Sequence, residues 1–423
     1  MTAGVAAGRL RAWHQSGAAV TIAFHSPRAL SMRKYILLFA LLCAAPAVAE
    51  SQELPLQPLP AVLESVLPAP VVDADSWLLA DFGSGWIIGG ANMEARIEPA
   101  SLTKLMTGYL VFDALARGEI SRQDEVPVSE KAWRTGGSKM FIRVGTRVSI
   151  ENLLRGLIIQ SGNDAAVALA EHLGGNEAGF AALMNQTAAR LGMNDSHFVN
   201  SSGLPHPQHY SSALDMTILT RALIHRFPRD YRLYSEQEFT YNGITQRNRN
   251  SLLKRDPSVD GIKTGYTEKA GYCLIGTAAR DGMRLIATVI GAPSMQARAD
   301  QVHALLQYGY AAYRSREVYA AGATVKELPL WFGQAAQARV VVPGGIQIIH
   351  PKGDAAQLSG KLALPASLDA PLQTGQTVGR IEVQFDGVTV RDAALQTDAD
   401  YPPGAWGSRL VDWFKRMVFQ LTH

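Results

Sequence analysis

Cysteine is scarce in this sequence, with two residues in a chain of 423. Cys43 lies in an apolar run near the N-terminus that is typical of a secretory signal peptide, and we expect it to be removed with that peptide. Only Cys273 then remains, so the mature chain cannot form an intrachain disulfide even in an oxidising compartment. Because Cys273 stands alone in an apolar run, the pattern favours a core residue over a nucleophile.

The chain also lacks a strong charge imbalance and a long apolar run. Its formal net charge is only +3 and it has no extended basic stretch, which argues against a nucleic acid partner. The apolar run at residues 36–42 is too short to span a membrane. It follows a basic start and precedes the small residues at 47–49, so we interpret residues 32–49 as a cleaved signal peptide.

Residues 1–31 have no evident purpose ahead of a signal peptide. We therefore interpret them as an N-terminal extension and Met32 as the natural start of the chain. Mass measurement of the mature protein would test both interpretations.

Length and pattern predict about two domains, each with its own core. Short runs at residues 76–81 and 85–89 predict an antiparallel hairpin, and runs at 271–278 and 283–290 predict two neighbouring strands. From about residue 315, β-branched runs broken by Gly, Pro and Asp predict a small all-β domain. The predicted division is an α+β domain of antiparallel sheet and helices at 58–314, an all-β domain at 315–405 and a helix at 406–423.

The first motif that can carry chemistry is Ser101-Leu102-Thr103-Lys104. If it opens a helix, residues three apart share one face, and the hydroxyl and the amine lie side by side. A serine needs a neighbouring base, and lysine can serve only when it is neutral, so burial or a second cation must lower its pKa. Lys263 is a candidate for that cation. The apolar residues that follow at helical spacing indicate a buried, rigid helix.

Two further motifs follow at long intervals. Ser161-Gly162-Asn163 lies between two helical stretches, which predicts a turn with a hydroxyl and a carboxamide at its apex. Residues 260–267 contain Lys263, Thr264 and Gly265 and run into an apolar strand. A strand edge with these side chains allows a substrate backbone to lie alongside and offers donors to a carboxylate. Taken singly, Ser-Gly-Asn is typical of an ordinary turn and Lys-Thr-Gly of an ordinary exposed strand.

The polar loop at residues 192–215 contains His197, His206 and His209. Loops of this length often border sites, and three histidines raise the possibility of zinc. No His-x-x-x-His or cysteine-rich spacing supports it, so we predict no metal and no cofactor.

The C-terminal stretch predicts an amphipathic helix. One face carries leucines, valines and aromatic residues, whereas the other carries Arg409, Asp412, Lys415 and Arg416. It is too short and too charged to span a bilayer, and its basic, aromatic pattern suits residues 408–423 to lie in a membrane interface. The alternative is that the helix packs on the β-domain of the same chain.

The ordered set Ser-x-x-Lys, Ser-Gly-Asn and Lys-Thr-Gly resembles the signature of the penicillin-binding proteins and serine β-lactamases. Ser-Gly-Asn in place of Ser-Asp-Asn, the extended Lys-Thr-Gly-Tyr-Thr motif, the trailing β-domain and the terminal helix are similar to the low-molecular-mass D-alanyl-D-alanine carboxypeptidases. The resemblance covers about residue 58 to the end. It implies that family's fold, stem peptides of peptidoglycan as substrates, β-lactams as covalent inhibitors, and a place at the periplasmic face of the inner membrane.

The resemblance also implies roles for individual residues. Ser101 would be the nucleophile, Lys104 its base, and Ser161 the group that passes a proton to the leaving amine. Asn163 would hold the substrate amide. The N–H groups of Ser101 and Tyr266 would form the oxyanion hole.

Recognition of the terminal carboxylate is the remaining role that the resemblance implies. Lys263, Thr264 and, more remotely, Arg298 would bind it by charge and hydrogen bonds. Some relatives have histidine where this chain has Tyr266, so we expect activity to survive with a different substrate preference or deacylation rate.

Three alternative functions remain open from the sequence: a D,D-endopeptidase or transpeptidase, a β-lactamase, and a catalytically idle cell-wall scaffold. The loop at residues 192–215 lacks a glutamate to activate a deacylating water, and Glu171 and Glu177 lie earlier, in a predicted helix, which weakens the β-lactamase reading. The intact serine and lysine pairs argue against a scaffold.

Overall fold

The computed structural model of the chain describes residues 56–58, 67–353 and 358–422. The predicted extension at 1–31 and the signal peptide at 32–49 lie outside the described residues. The helices within the described residues are α1 (Lys104–Ala116), α2 (Glu130–Arg134), α3 (Ile150–Ile158), α4 (Asn163–Gly174), α5 (Glu177–Leu191), α6 (Ala213–Arg226), α7 (Leu252–Arg255), α8 (Met295–Ala312) and α9 (Trp406–Thr422).

The strands of the first domain are β1 (Gln57–Pro58), β2 (Ser76–Asp81), β3 (Trp86–Ala91), β4 (Glu125–Pro127), β5 (Arg147–Ser149), β6 (Glu238–Tyr241), β7 (Ile244–Arg247), β8 (Val259–Thr267), β9 (Gly271–Arg280) and β10 (Met283–Ala292). The later strands are β11 (Tyr313–Tyr319), β12 (Ala323–Trp331), β13 (Gln337–Val342), β14 (Ile346–Pro351), β15 (Leu358–Ala363), β16 (Leu368–Asp369), β17 (Thr377–Phe385) and β18 (Val388–Thr397).

A mixed, mainly antiparallel sheet organises the first domain, with the strand order β1-β3-β2-β10-β9-β8. Its two faces bury different cores because side chains alternate along a strand. Leu78 belongs to the core that contains α1, α3 and α4, whereas its neighbour Leu79 packs with α8 on the other face. The predicted hairpin β2-β3 and the predicted pair β9-β10 are both confirmed. Strand β8 is the outer strand at one end, so one edge of it borders the helical region.

The second domain is built from β-strands, as predicted. One sheet has the order β15-β17-β18-β13-β12-β16, and β11 pairs with β14. The predicted hairpin around Asp386 and Gly387 is the β17-β18 turn, where both residues have positive φ. Arg391 on β18 is buried and donates to the carbonyl of Ser84, 3.1 Å away, in the turn between β2 and β3. The predicted α+β fold with a trailing all-β domain is therefore confirmed.

The terminal helix α9 contacts the β-domain through its polar face. The carboxylate of Asp412 accepts a hydrogen bond from the backbone N–H of Phe332 at 3.0 Å, and Arg416 pairs with Asp369 at 2.7 Å. In the part of the chain that the structure describes, no helix combines the length and the apolarity needed to cross a membrane.

Candidate active site

Ser101 lies in a 3-10 turn, Ala100–Thr103, that leads directly into α1. The sequence predicted an α-helix opening at Ser101, but regular α-helix begins only at Lys104. The tighter turn still keeps residues three apart on one side. Ala100 has a φ of +47°, an uncommon conformation for a residue with a side chain, while Leu102 and Thr103 are fully buried. The core therefore holds the turn in a strained conformation of the kind that clusters at functional sites.

Two glycines pack against this turn from different elements. Gly203, with φ +83°, approaches so closely that a Cβ there would lie 1.7 Å from the carbonyl oxygen of Ala100. A Cβ on Gly265 of β8 would lie 3.3 Å from the backbone nitrogen of Ser101. Side chains at these positions would displace the turn or crowd the Ser101 N–H, so the glycines allow the close approach.

Lys104 is placed to act on Ser101. Its Nζ lies 2.9 Å from Oγ of Ser101 and donates to the carbonyl of Ser202 at 2.6 Å. Burial, and secondly the guanidinium of Arg249, lower the pKa of Lys104 to about 7. The sequence suggested Lys263 as the cation that lowers the pKa of Lys104, but in the structure this cation is Arg249. At neutral pH a large fraction of this lysine is unprotonated and able to accept a proton.

Ser161 and Lys263 form a second hydroxyl and amine pair. Nζ of Lys263 lies 2.9 Å from Oγ of Ser161 and equally far from the carbonyl of Thr264. Ser161 has a φ of +62° in the turn between α3 and α4, so that residue too is held in an uncommon conformation. Burial first, then the charges of Lys104 and Arg249, keep the pKa of Lys263 well below its usual range. The two lysines therefore share one electrostatic environment.

Asn163 and Asp164, at the start of α4, hold the backbone of residues 136–142 through hydrogen bonds. The side-chain amide of Asn163 donates to the carbonyl of Gly136 at 2.7 Å. The buried carboxylate of Asp164 accepts hydrogen bonds from the backbone N–H groups of Met140, Phe141 and Ile142 at 3.0, 2.9 and 3.3 Å. One carboxylate thus determines the conformation of residues 140–142 beside the site.

We expect Asp164→Asn to lower the free energy of unfolding by about 2–4 kcal/mol, because an amide replaces a charged acceptor of several N–H groups. It should also slow acylation by penicillin, since residues 140–142 lose their anchor. Chemical denaturation and the acylation rate measure the two effects. The exposed Asp281→Asn, at a turn residue with φ +49°, is the matched control. Equal stability of the two variants would contradict the assigned role.

The edge of β8 carries the remaining predicted residues. Lys263 and Thr264 are buried, whereas Tyr266 is 52 % exposed and its ring lies 4.4 Å from that of Tyr272. Arg298 is buried on α8 and donates to the backbone carbonyls of Gly265 at 2.9 Å and Cys273 at 3.4 Å. Its guanidinium therefore supports β8 and adds positive charge behind Lys263.

The polar loop before α6 packs on the turn that contains Ser101. His209 is buried, and its Nε2 lies 2.8 Å from the hydroxyl of Thr103 while Nδ1 accepts from the N–H of Val199. Burial lowers the pKa of His209 to about 4, so it is neutral at physiological pH. Glu177 binds the hydroxyl of Ser201 and the amine of Lys131. These contacts give Glu177 a structural role in holding the loop.

Three residues of the site were missed from the sequence: Arg249, Asp164 and His209. Asp164 directly follows Ser-Gly-Asn. A carboxylate in the first turn of a helix is typical of an acceptor for backbone N–H groups, and this pattern could have identified Asp164. His209 was considered only as a metal ligand. Arg249 lies in the bend between β7 and α7 and donates to the carbonyl of Gln160 at 3.1 Å, and no local sequence pattern indicates that contact.

The arrangement is suited to acyl transfer. It combines a serine on a rigid turn with a lysine of lowered pKa, a second serine and lysine pair, and an outer strand whose amine and hydroxyl groups can bind an anion. The chain is therefore a serine acyl-transfer enzyme of the penicillin-binding type, as its mainly antiparallel sheet, its helical region and these paired residues indicate.

Comparison with known proteins gives the particular family. Residues 64–294 match the family described as D-alanyl-D-alanine carboxypeptidase, and residues 313–403 match the C-terminal domain of penicillin-binding protein 5. The D-alanyl-D-alanine carboxypeptidase DacA of Escherichia coli is 37 % identical over 84 % of this chain and 90 % of its own length. The chain belongs to the D-alanyl-D-alanine carboxypeptidase family, and it is a serine-type carboxypeptidase of that family. The resemblance inferred from the three motifs is confirmed.

Solved structures agree with this assignment. Penicillin-binding protein 5 of Haemophilus influenzae is similar with a TM-score of 0.74 and 38 % identity, over 79 % of this chain and 99 % of that one. Penicillin-binding protein D2 of Listeria monocytogenes, solved in an ampicillin-bound form, is similar with a TM-score of 0.54 and 30 % identity, over 58 % of this chain and all of that one. The similarity thus extends to a relative solved with a β-lactam.

Proposed function

We propose that Ser101 attacks the carbonyl carbon between the last two D-alanines of a peptidoglycan stem peptide. Neutral Lys104 accepts the hydroxyl proton as the bond between Oγ and the carbon forms. The 2.9 Å separation of Nζ and Oγ supports direct transfer of that proton. The second bond of Lys104, to the carbonyl of Ser202, holds the amine in place as it charges.

The negative charge that develops on the carbonyl oxygen is stabilised by the N–H groups of Ser101 and Tyr266. The close packing of Gly265 on the Ser101 nitrogen supports this pairing, because it brings the two backbone segments together. Collapse of the tetrahedral intermediate breaks the peptide bond. Ser161 then gives its hydroxyl proton to the departing amine of D-alanine and receives another from Nζ of Lys263, 2.9 Å from its Oγ.

The terminal carboxylate lies against Lys263 and Thr264, with Arg298 behind the strand. Buried Lys263 in the middle of β8 and buried Arg298 support this orientation, since an amine and a guanidinium can both donate hydrogen bonds to an anion in a poorly solvated region. Asn163 holds the substrate amide on the opposite wall. Water finally attacks the acyl-enzyme and gives its proton to the Ser161 and Lys263 pair, while Oγ of Ser101 leaves the carbonyl carbon and regains its proton from Lys104. The shortened peptide departs with a free carboxyl group.

The observation that carries this proposal is the Ser101 and Lys104 contact, with a lysine whose pKa is lowered to about 7. The test is release of free D-alanine from diacetyl-L-Lys-D-Ala-D-Ala by the mature protein, with and without penicillin. We expect release that penicillin blocks, and a penicilloyl adduct on the tryptic peptide that contains Ser101.

Other outcomes distinguish the alternatives. Adduct formation without release of D-alanine, but with cleavage of cross-linked dimers, would identify an endopeptidase. Fast turnover of penicillin would identify a β-lactamase, which lacks support here because Glu177 is bound to Ser201 and Glu171 accepts from the hydroxyl of Ser129. Absence of both the penicilloyl adduct and D-alanine release would favour the catalytically idle scaffold.

We further propose that the protein is exported and held at the periplasmic face of the inner membrane by α9. The helix uses Asp412 and Arg416 to contact the β-domain. Three of its aromatic residues are exposed: Trp406 is 81 % exposed, and Trp413 and Phe414 are just over half exposed. An exposed aromatic face on an amphipathic helix suits insertion at a lipid interface.

Removal of residues 408–423 is expected to abolish binding to vesicles that contain phosphatidylglycerol, because the apolar face is lost. Trp413→Asp should weaken binding at least about tenfold, since a charged carboxylate would enter the lipid interface in place of an indole ring. Co-sedimentation measures both, and Lys361→Ala, exposed in the β-domain, is the control. Undiminished sedimentation of the truncated protein would rule out this membrane contact.

A further inference from the structure

Glu98 precedes Ser101 by three residues, and its carboxylate connects the turn that contains Ser101 to strand β8. The hydroxyl of Thr267, the last residue of β8, donates to this carboxylate at 3.0 Å. The same hydroxyl accepts a hydrogen bond from the backbone N–H of Ala270 at 2.9 Å. The side chain of Glu98 is only 13 % exposed, so water competes little for the contact. We call this contact the Glu98–Thr267 bond.

The two ends of the Glu98–Thr267 bond lie close along the chain to the two N–H groups of the proposed oxyanion hole. Tyr266 directly precedes Thr267 on β8, and Glu98 belongs to the segment that leads into Ser101. The bond therefore joins the two backbone segments that must meet if one oxygen atom is to accept hydrogen bonds from both.

The segment that contains Glu98 is itself constrained on both sides. The backbone N–H and carbonyl of Ile97 exchange hydrogen bonds with Ser211 at 2.8 and 2.9 Å. Ala100, two residues after Glu98, has the uncommon φ of +47°. Such a conformation persists only where the surroundings fix it. Loss of the Glu98–Thr267 bond removes one of these constraints and allows the turn to relax.

Packing between the two segments does not by itself fix their spacing. A Cβ on Gly265 would lie 3.3 Å from the nitrogen of Ser101, so the backbones are in close contact there. Van der Waals contact limits how near the segments come, but it sets no direction. A hydrogen bond to a carboxylate is directional and fixes both a distance and an angle.

We propose that Glu98 and Thr267 are positioning residues that set the spacing of the Ser101 and Tyr266 N–H groups. This inference rests on the proposed function, because it concerns the oxyanion hole described there. Loss of the Glu98–Thr267 bond leaves both donors present but allows them to move apart. Removal of an oxyanion-hole donor costs about 10²–10³-fold in rate, so a small displacement of one should cost about tenfold.

Two single variants remove the bond from opposite ends. Thr267→Val keeps the shape of the side chain without the hydroxyl, whereas Glu98→Ala removes the acceptor and leaves the bond from Ala270 to Thr267. For diacetyl-L-Lys-D-Ala-D-Ala we expect each to lower kcat about tenfold and to leave KM within about twofold. Acylation and deacylation both pass through the oxyanion, whereas binding of the ground-state peptide does not. The rate of penicillin acylation should fall by a similar factor.

Conservative variants and the double variant separate positioning from a general loss of structure. Thr267→Ser keeps a hydroxyl donor and Glu98→Gln keeps an oxygen acceptor, so each should bring kcat to within about threefold of the wild type. Glu98→Ala combined with Thr267→Val should be no slower than the slower single variant, since both changes remove one bond. The final stoichiometry of penicillin labelling counts the active molecules and corrects kcat for any unfolded fraction.

Two control variants remove comparable interactions and keep the Glu98–Thr267 bond. Lys269→Gln is matched to Glu98→Ala, because the amine of Lys269 is 78 % exposed and pairs with the same carboxylate at 3.3 Å. Thr240→Val is matched to Thr267→Val, because Thr240 shares a side-chain hydrogen bond of 2.8 Å with Thr245 in the exposed β6–β7 hairpin. Both controls should keep the wild-type kcat.

Unchanged kcat in either single variant, or additive losses in the double variant, would overturn the positioning role. A loss that falls mainly on KM would also overturn it, because the oxyanion forms only after binding. Wild-type protein that penicillin acylates but that releases no D-alanine would instead contradict the carboxypeptidase step, and the acylation rates of the variants would still test the bond. Absence of acylation as well would contradict both proposals.

Discussion

Replacement of Ser101 by alanine is expected to abolish covalent labelling by penicillin and to reduce D-alanine release by about 10⁴-fold or more, since the nucleophile is removed. The hydroxyl is partly exposed, and the contact that alanine removes is the one with Nζ of Lys104, which keeps its hydrogen bond to the carbonyl of Ser202. The melting temperature should therefore stay within a few degrees of the wild type. Fluorescent penicillin on a gel and a D-alanine assay measure the two losses.

The matched control is Ser235→Ala, at an exposed serine whose hydroxyl donates to the carbonyl of Arg232 in its own turn. It should be labelled like the wild type. Labelling that persists in Ser101→Ala would show that another residue forms the acyl-enzyme, and the assigned chemistry would then be wrong.

The fold was predictable where the pattern is local. The alternation in β9 and β10 and the turn residues between β17 and β18 specify hairpins, because neighbouring segments pair without further information. The insertion of β10 between β9 and β2 was not predictable. It pairs residues 285–290 with residues 76–81, and such long-range pairing depends on which apolar faces meet in the finished core.

The site shows the same division. Ser101, Lys104 and Ser161 could be found because each lies in a short motif with the residue types that acyl transfer requires. The cause of the lowered pKa of Lys104 could not be found in the sequence, since it depends on burial and on the guanidinium of Arg249. The carbonyl of Ser202 is likewise invisible in a sequence, because any residue supplies a carbonyl and only the fold aims it at Lys104.

Lys104→Arg is expected to slow acylation by penicillin by about 10²–10⁴-fold, even though a long basic side chain is retained. A guanidinium stays protonated at every accessible pH and cannot accept the proton of Ser101. Stopped-flow measurement of the second-order acylation rate gives the comparison. Lys352→Arg, at a lysine that donates to the carbonyl of Tyr310 beside the β-domain, is the matched control and should acylate at the wild-type rate.

The pH dependence separates loss of a base from simple misplacement. With a pKa of about 7, the amine of Lys104 is mostly protonated below neutrality and mostly neutral above it. The wild-type acylation rate should therefore rise about tenfold per pH unit below that pKa and level off above it. In Lys104→Arg, acylation should be slow and its rate should no longer rise with pH up to about 7. A wild-type profile that kept rising to pH 10, or a variant that kept the limb near pH 7, would show that a different group is the base.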